Sequence, residues 1–387
     1  MAWPLWAQLN DSSGNPVYQT DAASLTNLRY SMKLPGGCAV ASFSLVGGLA
    51  QRFGWVTGTP RAVELVINDA AGTAVWRGRF MQVTVSPAGK QIDAQFMGYW
   101  ATVGYQLLTK TWAAGTNVTA RGVIRYCRGL SDNASGGAST GPADLCPLLA
   151  SHSDSQVGDP ALNLAPGGGQ DLVIDHQPVR SVIQRLIAQG DGANQWYCSV
   201  NADKALRVFQ RSATVSWQVW VDMLLSGATS TYSIANVVSD TASSYTSGGT
   251  TSWKTAGPSA AAKALLGNVN RYAVVPNPFA GSGAAAQAYA NQYAADHDSV
   301  VDMGSGLTLG PRIYDTYGRL RYSYEVQVGD TVQVPDLAVA QLGAGSAAAN
   351  PGIYYVVGAD YDVANQTVTL TPDTPNPASL TGALLAV

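Results

Sequence analysis

A chain of 387 residues, 46% hydrophobic and only 12% charged with a formal net charge of −3, has room for two to four domains and a sizeable apolar interior, but carries about half the usual share of ionic side chains. No run of Lys or Arg occurs, which excludes a basic field able to hold a phosphate backbone, so no specific nucleic-acid binding is expected. Glutamate occurs only at Glu64 and Glu325; the residues that coat exposed helices are missing, which predicts strands and loops, and so little surface charge predicts cover by other subunits.

In chain order, residues 3–110 read as short strands: Trp3 to Leu9, Leu28 to Leu34, Ala39 to Leu45, Arg61 to Asn68, Ala74 to Ser86 and Gln91 to Tyr99. Alternation is visible in Val63 to Ile67 and in Phe80 to Val85. Turn signals separate these runs, among them Ser13-Gly14-Asn15-Pro16, Pro35-Gly36-Gly37, Asp69-Ala70-Ala71-Gly72 and Pro87-Ala88-Gly89-Lys90. Such spacing suits a small antiparallel barrel or sandwich.

From residue 111 to 212 the pattern becomes mixed α/β. Val118 to Cys127 predicts a helix with Val118, Ile124 and Cys127 inward, and Val179 to Gln189 one with Val182, Ile183, Leu186 and Ile187 on one face. Trp196 to Asn201 and Ala205 to Arg211 predict a hairpin around Ala202-Asp203-Lys204, and Leu164 to Gly169 reads as a loop between the halves of this segment. Strands resume at Ser216 to Val221 and Ile234 to Tyr245, and Ser243 to Ser252 reads as a hairpin tip or loop. Ala260 to Leu266 and Ala284 to His297 have helical composition. The closing strands are Arg319 to Val328, Thr331 to Val334, Gly352 to Asp362 and Gln366 to Thr371, the last two joined by Val363-Ala364-Asn365.

Reactive chemistry finds little support. His152, His176 and His297 are the only histidines, and none stands in an HExxH or Cys/His pattern; His152-Ser153-Asp154 and Asp175-His176 read as polar loop residues. Two glutamates in strand-like runs do not make a glycosidase pair. Gly167-Gly168-Gly169 lacks a following Lys and Ser/Thr, and Gly190-Asp191-Gly192 does not open a nucleotide-type helix. Cys38, Cys127, Cys146 and Cys198 have no metal or redox spacing; they read as buried thiols, with Cys127 and Cys146 able to close a loop only in an oxidising compartment. No catalytic, cofactor-binding or metal-binding residue is expected, so the chain is not read as an enzyme. Met1-Ala2-Trp3-Pro4 starts no basic-then-apolar leader and no span of about 18 apolar residues follows, which predicts synthesis in a cytoplasm and no membrane insertion.

Four segments, taken in order, resemble the tail hub proteins of phages and prophages, relatives of the trimeric baseplate hub of contractile tails and of the N-terminal hub of tail-associated proteins in siphophage-like tails. They are Ser31 to Leu45, Gln177 to Ile183 ahead of Trp196, Ile234-Ala235-Asn236-Val237-Val238, and Val328 to Asp336 followed by Tyr354 to Val357 and Leu370 to Pro372. The resemblance implies a mainly β fold: a first small antiparallel β-barrel at 1–110, an α/β insertion at 111–212, a second barrel from 213–255 and 310–387, and a helical insertion at 256–309. It also implies a homotrimer whose barrels form a ring continuing the tail tube at the virion tail tip. Its implied neighbours are a distal tail or tail tube protein, a tape measure protein and a tail fibre or receptor-binding protein. The ring would pass DNA without gripping it. The ten tryptophans motivate a second reading, a carbohydrate-binding or host-adhesion β-sandwich module; the first assigns them to cores and subunit contacts.

Overall fold

The computed structural model describes residues 3–373 except 56–59, 87–90, 114–117, 131–142, 156, 158–170, 190–195, 211–213, 227–229, 233–236, 248–249, 258, 276–282, 297–300, 304–305 and 336–352. The chain runs through β1 (Trp6–Asn10), β2 (Pro16–Asp21), β3 (Thr26–Lys33), β4 (Gly36–Val46), α1 (Gly47–Arg52), β5 (Glu64–Asn68), β6 (Ala74–Val85), β7 (Gln91–Gly98) and β8 (Leu107–Trp112). Next come α2 (Ala120–Cys127), β9 (Ser151–Ser153), β10 (Leu172–Pro178), α3 (Val179–Gln189), β11 (Trp196–Val200), β12 (Ala205–Gln210), β13 (Trp217–Gln218), β14 (Leu224–Ser226) and β15 (Ser230–Tyr232). The remainder is β16 (Asp240–Ser247), β17 (Thr250–Ala256), α4 (Ala260–Leu265), β18 (Tyr272–Val275), α5 (Gly283–Asp296), β19 (Val301–Met303), β20 (Leu307–Leu309), β21 (Arg312–Asp315), β22 (Leu320–Tyr322), β23 (Thr331–Gln333), β24 (Ile353–Asp362) and β25 (Thr367–Asp373).

One turn chemistry closes three of the hairpins. Asp11, Asp69 and Asp315 each end a strand, and each turns its Oδ1 back to accept from the amides two and four residues on, at 2.8–2.9 Å. The glycine at the fourth position has a positive φ, +84° at Gly14, +81° at Gly72 and +74° at Gly318, a conformation that costs glycine nothing. The sequence Asp-x-x-Gly therefore fixes the register of β1–β2, β5–β6 and β21–β22.

The fold is mainly β, as expected, but its pairing mixes parallel with antiparallel ladders where antiparallel ones were expected. The expectation of two separate small barrels needs correction. Eighteen strands form one branched sheet, and no ladder in it closes on itself among the described residues. Its main path runs β2-β1-β5-β6-β7-β4-β3-β24-β25-β20-β14. The cause lies in β24. One edge of this strand is filled by β25, while its other edge serves two neighbours: Ile353 to Tyr355 pair with β23, and Gly358 to Asp362 pair with β3. The N-terminal and C-terminal strands thereby share one ladder and one core, which holds Leu28, Met32, Phe43, Phe96, Val332, Tyr361 and Leu370 together.

A second core holds the segment from Tyr99 to Val208. In it the inward residues expected for α2 (Val118, Ile124, Cys127) and α3 (Val182, Ile183, Leu186, Ile187) are all buried. Thr119 caps α2, its side chain accepting from Gly122 N. The β11–β12 hairpin forms as expected. Its outer edges pair in parallel, β11 with β4 and β12 with β9, which attaches the second core to the large sheet.

Further corrections concern the second half. The segment 213–255 is expected in the second barrel, yet β16 and β17 leave the large sheet altogether and pair with β18 under α5. Arg319 to Val328 is not one strand: β22 stops at Tyr322 and a 3-10 turn follows, because the Glu325 carboxylate accepts from Tyr322 N at 3.1 Å and from Arg321. Such local side-chain bonds compete with a ladder. Ser216 to Val221 keeps only Trp217 and Gln218 as strand. Strand β2 and helix α1 have no counterpart among the expected elements. Leu164 to Gly169, Gly190 to Gly192, Ile234 to Asn236, Asp336 and His297 lie outside the described residues.

Candidate assembly surfaces

The polar clusters are structural joints. Asp154, buried just after β9, takes Arg125 Nε at 2.7 Å and Arg121 Nη2 at 3.1 Å from α2, with His152 Nε2 at 3.1 Å. Burial alone would raise this carboxyl, but His152, Arg125 and Arg121 outweigh it and hold it well below the usual carboxylate range. The cluster pins His152, Asp154 and Val157 to α2. His176, by contrast, is exposed, and with Asp175 it lies within β10, at an irregularity of the β8–β10 ladder, rather than in the loop expected for it. Among the described residues no group of three His, Cys, Asp or Glu side chains is arranged to hold a metal.

Glu64, at the start of β5, is buried between the two cores. It accepts from Tyr99 OH and from Asn10 Nδ2 at 2.8 Å, with Arg77 Nε at 3.8 Å and Lys204 Nζ at 3.7 Å. Burial first, then the Glu64 carboxylate, pushes the Tyr99 hydroxyl up. Lys204 comes from the β11–β12 turn and also sits over the Tyr99 ring at 5.0 Å, so this network locks the second core onto the first. Glu325 is committed to Arg321 and Tyr322 N.

The four thiols are buried. Burial pushes Cys38 up to about 12 and Cys146 up to about 11, far from a reactive thiolate. Of the tryptophans, Trp3, Trp55, Trp76, Trp100, Trp112 and Trp196 lie in the cores, while Trp220 and Trp253 are exposed.

What the surface offers instead is unpaired sheet edge and apolar side chains. Among the described residues β2 pairs only with β1, and β22 only with β21. The β21–β22 hairpin presents Tyr317, 82% exposed, and Leu320. Arg319 is bound to Asp315 and Arg312 is stacked 3.8 Å over the Tyr322 ring. Tyrosine and arginine on a rigid hairpin are the residues that dominate binding at protein interfaces. The β8–β10 ribbon, held over the second core, adds exposed Leu107 and Val173. An unpaired edge is one that proteins normally pair, cover or charge; β2 carries only Asp21, whereas β22 carries Arg321.

No protein-family model matches the sequence, and no curated protein matches it. Solved structures do resemble the fold from end to end. The 43 kDa tail protein of prophage MuSo2 from Shewanella oneidensis superposes with a TM-score of 0.57 at 13% identity, covering 97% of each chain.

The chain has the fold of prophage tail proteins. A tail protein from Neisseria meningitidis MC58 matches with a TM-score of 0.56 at 11% identity over 97% of this chain and 99% of the other. The prophage tail protein gp18 from Listeria monocytogenes EGD-e matches with 0.51 at 8% identity over 98% of each. Within this tail-protein fold, Ser31 to Leu45 forms the β3–β4 hairpin, Gln177 to Ile183 carries β10 into α3 ahead of Trp196, and Gly329-Asp330 turns into β23. Three of the four segments that carry the resemblance thus fall at strand and helix junctions; in the remaining one only Val237 and Val238 are described, both buried.

Proposed function

We propose that this chain is a structural hub protein of a phage or phage-like tail, assembling as a homotrimeric ring at the tail tip. The observation that carries the reading is end-to-end likeness to three prophage tail proteins, with nearly equal chain lengths on both sides of each match. The edge of β2, unpaired among the described residues and carrying only Asp21, gives the physical motive: in a closed ring it finds its partner on the next copy. The ring continues the tail tube, joins a distal tail or tail tube protein to the fibre or receptor-binding protein, and meets the tape measure protein. With a net charge of −3 it passes DNA without holding it. The working parts are two sheet-bearing units, 1–110 and the C-terminal strands after 310, the α/β unit 111–212 that braces them, and the smaller unit around α5. No reactive side chain is involved, and the chain is not an enzyme.

Mass photometry and negative-stain imaging of the purified protein at micromolar concentration test this. Trimers with a central opening are expected; compact monomers both alone and with the neighbouring tail proteins would overturn it. Exposed Trp253 and Trp220 are what favours a second reading, a carbohydrate-binding or host-adhesion module. Glycan-array binding lost in Trp253→Ala or Trp220→Ala, in a protein that forms no ring, would establish that reading instead.

A further inference from the structure

The two halves of the large sheet share one strand plan. The runs β5-β6-β7-β4-β3 and β23-β24-β25-β20-β14 are each joined by antiparallel ladders throughout. Their registers agree in detail. Arg79 opposite Glu64 corresponds to Tyr355 opposite Thr331. Phe80 N then donates to Val63 O at 2.8 Å, as Val356 N donates to Asp330 O at 2.9 Å. One residue further each long strand bulges against its hairpin partner, β6 between Phe80 and Gln82 and β24 between Val356 and Gly358. A bulge placed at the same step after the same ladder end marks equivalent positions in the two strands. Gln82, Val83, Thr84 and Val85 therefore correspond to Gly358, Ala359, Asp360 and Tyr361.

The halves differ at one edge. Past its bulge β24 pairs with β3, Gly358 to Asp362 against Lys33 to Arg29, and Leu34 N donates to the bulge carbonyl of Val357 at 2.7 Å. Under this cover Ala359 and Tyr361 are buried, the Tyr361 ring against Tyr30. Past its own bulge β6 pairs with β7 alone among the described residues, and the other edge of Met81 to Val85 stays open. Met81 is 48% exposed and Val85 41%. No charge, proline or glycine stands in the run Met81-Gln82-Val83-Thr84-Val85 to guard that edge.

The shared plan identifies the missing partner. β3 is the last strand of its run, and in the other run that place belongs to β14, followed in the chain by β15. Among the described residues β14 pairs only with β20 and β15 only with β19, so each keeps an open edge. Neither contains an ionic side chain, and Leu225 of β14 is 61% exposed. Leu309 of β20 corresponds to Leu45 of β4, since Val368 and Ile92 are their partners. The same count along β19 sets Asp302 at Cys38, and hence Thr231 at Met32 and Ser230 at Ser31. Within one chain neither β14 nor β15 pairs with β6, so this partner comes from a second copy. The junction inside the chain then recurs between chains, which is the head-to-tail contact that a ring requires.

We propose that the open edge of β6 pairs antiparallel with β15 of the next copy, with Val83 opposite Thr231 and Thr84 opposite Ser230, as Ala359 lies opposite Met32 and Asp360 opposite Ser31 within the chain. The inference rests on the ring reading and names the strands that close it. Mass photometry at micromolar concentration compares wild type with Val85→Lys and with Val274→Lys, a control at a 64% exposed strand residue away from this edge. Trimers are expected in wild type and in the control, and a trimer fraction at least tenfold smaller in Val85→Lys. In case lysine at position 85 disturbs the fold, co-expressed Thr84→Cys and Ser230→Cys chains treated with oxidised glutathione should give a disulfide-linked two-chain species that neither variant gives alone. Trimers that persist in Val85→Lys, with no such species, would overturn the pairing and leave the ring. Wild-type monomers, alone and with the neighbouring tail proteins, would overturn the ring and the pairing together.

Discussion

Tyr30 of β3 and Tyr361 of β24 stack face to face, ring centroids 4.3 Å apart and 11° from parallel, at the register position where the two strands meet. The Tyr361 hydroxyl donates to the carbonyl of Val326. One pair of rings thus joins the first strands of the chain to the last. Burial first, then Tyr324 and Cys38 near Tyr30, and Tyr30 and Asp330 near Tyr361, keeps both hydroxyls protonated far above the ordinary tyrosine range.

Tyr361→Ala removes a fully buried ring and should cost about 3–5 kcal/mol, as other large aromatic truncations do. Tyr361→Phe should cost about 1–3 kcal/mol, the penalty for leaving the buried Val326 carbonyl without its donor. Urea denaturation monitored by tryptophan fluorescence checks both. Equal losses for the two variants would show that the ring's packing contributes nothing.

Asp154→Asn should destabilise the second core by about 3 kcal/mol or somewhat less, because Arg121, Arg125 and His152 would then share a partly buried site without an anion. Since the folded carboxyl lies below its unfolded value of about 3.9, its contribution is present above about pH 4 and is lost as the pH falls further. The difference in denaturation midpoint between wild type and Asp154→Asn should therefore shrink on acidification.

Asp330 carries the opposite sign. Burial raises its carboxyl above the ordinary value, only partly offset by hydrogen bonds from Gln327 N and Trp217 Nε1, each at 2.8 Å. Its favourable contribution is present below about pH 4 and is lost as the pH rises through the folded value. Asp330→Asn keeps an acceptor oxygen and removes the buried charge, so at pH 7 its denaturation midpoint should equal or exceed that of wild type. A large loss of stability at pH 7 would contradict that sign.

Gly37 marks the crossing of β4 and β11, with φ +78° and room for no side chain: a Cβ would come within 2.5 Å of the Val200 carbonyl oxygen. Gly37→Ala should break the parallel pairing of β4 with β11 and cost about 2 kcal/mol or more, combining backbone strain with displacement of the hairpin. Gly14→Ala, where nothing lies within 4 Å of the added carbon, should cost only the strain of its turn. Thermal unfolding of both variants measures the difference.

The strands of the first hundred residues were legible because each buries one face, and alternation with Asp-x-x-Gly or Pro-Gly punctuation is a local signal. The helices α2 and α3 were legible from the apolar face each buries, and α4 and α5 from their alanine-rich composition. Strand β2 escaped notice because Pro16 to Asp21 is mostly exposed or half-buried, leaving no apolar period to read. The short strands β14, β20 and β21 are three or four residues long, too few for any periodicity to register, and only their partners make them strands. The Glu64–Lys204 and Asp154–Arg121–Arg125 joints had no sequence signal either, since their members come from elements far apart in the chain.

Composition and local pattern alone determined that this protein is β-rich, poorly charged, without a catalytic or metal motif, and similar in the order of its segments to tail hubs. Only the tertiary structure decided that the expected pair of barrels is one branched sheet with a shared core, and that β16 and β17 belong with β18 and α5. The physical reason is that a strand's sequence specifies which of its faces is buried but not which strand occupies each edge. Backbone hydrogen bonds carry no side-chain identity, so β24 could take β23 and β3 along a single edge, and only the packing of Tyr30 against Tyr361 and its neighbours selects that arrangement.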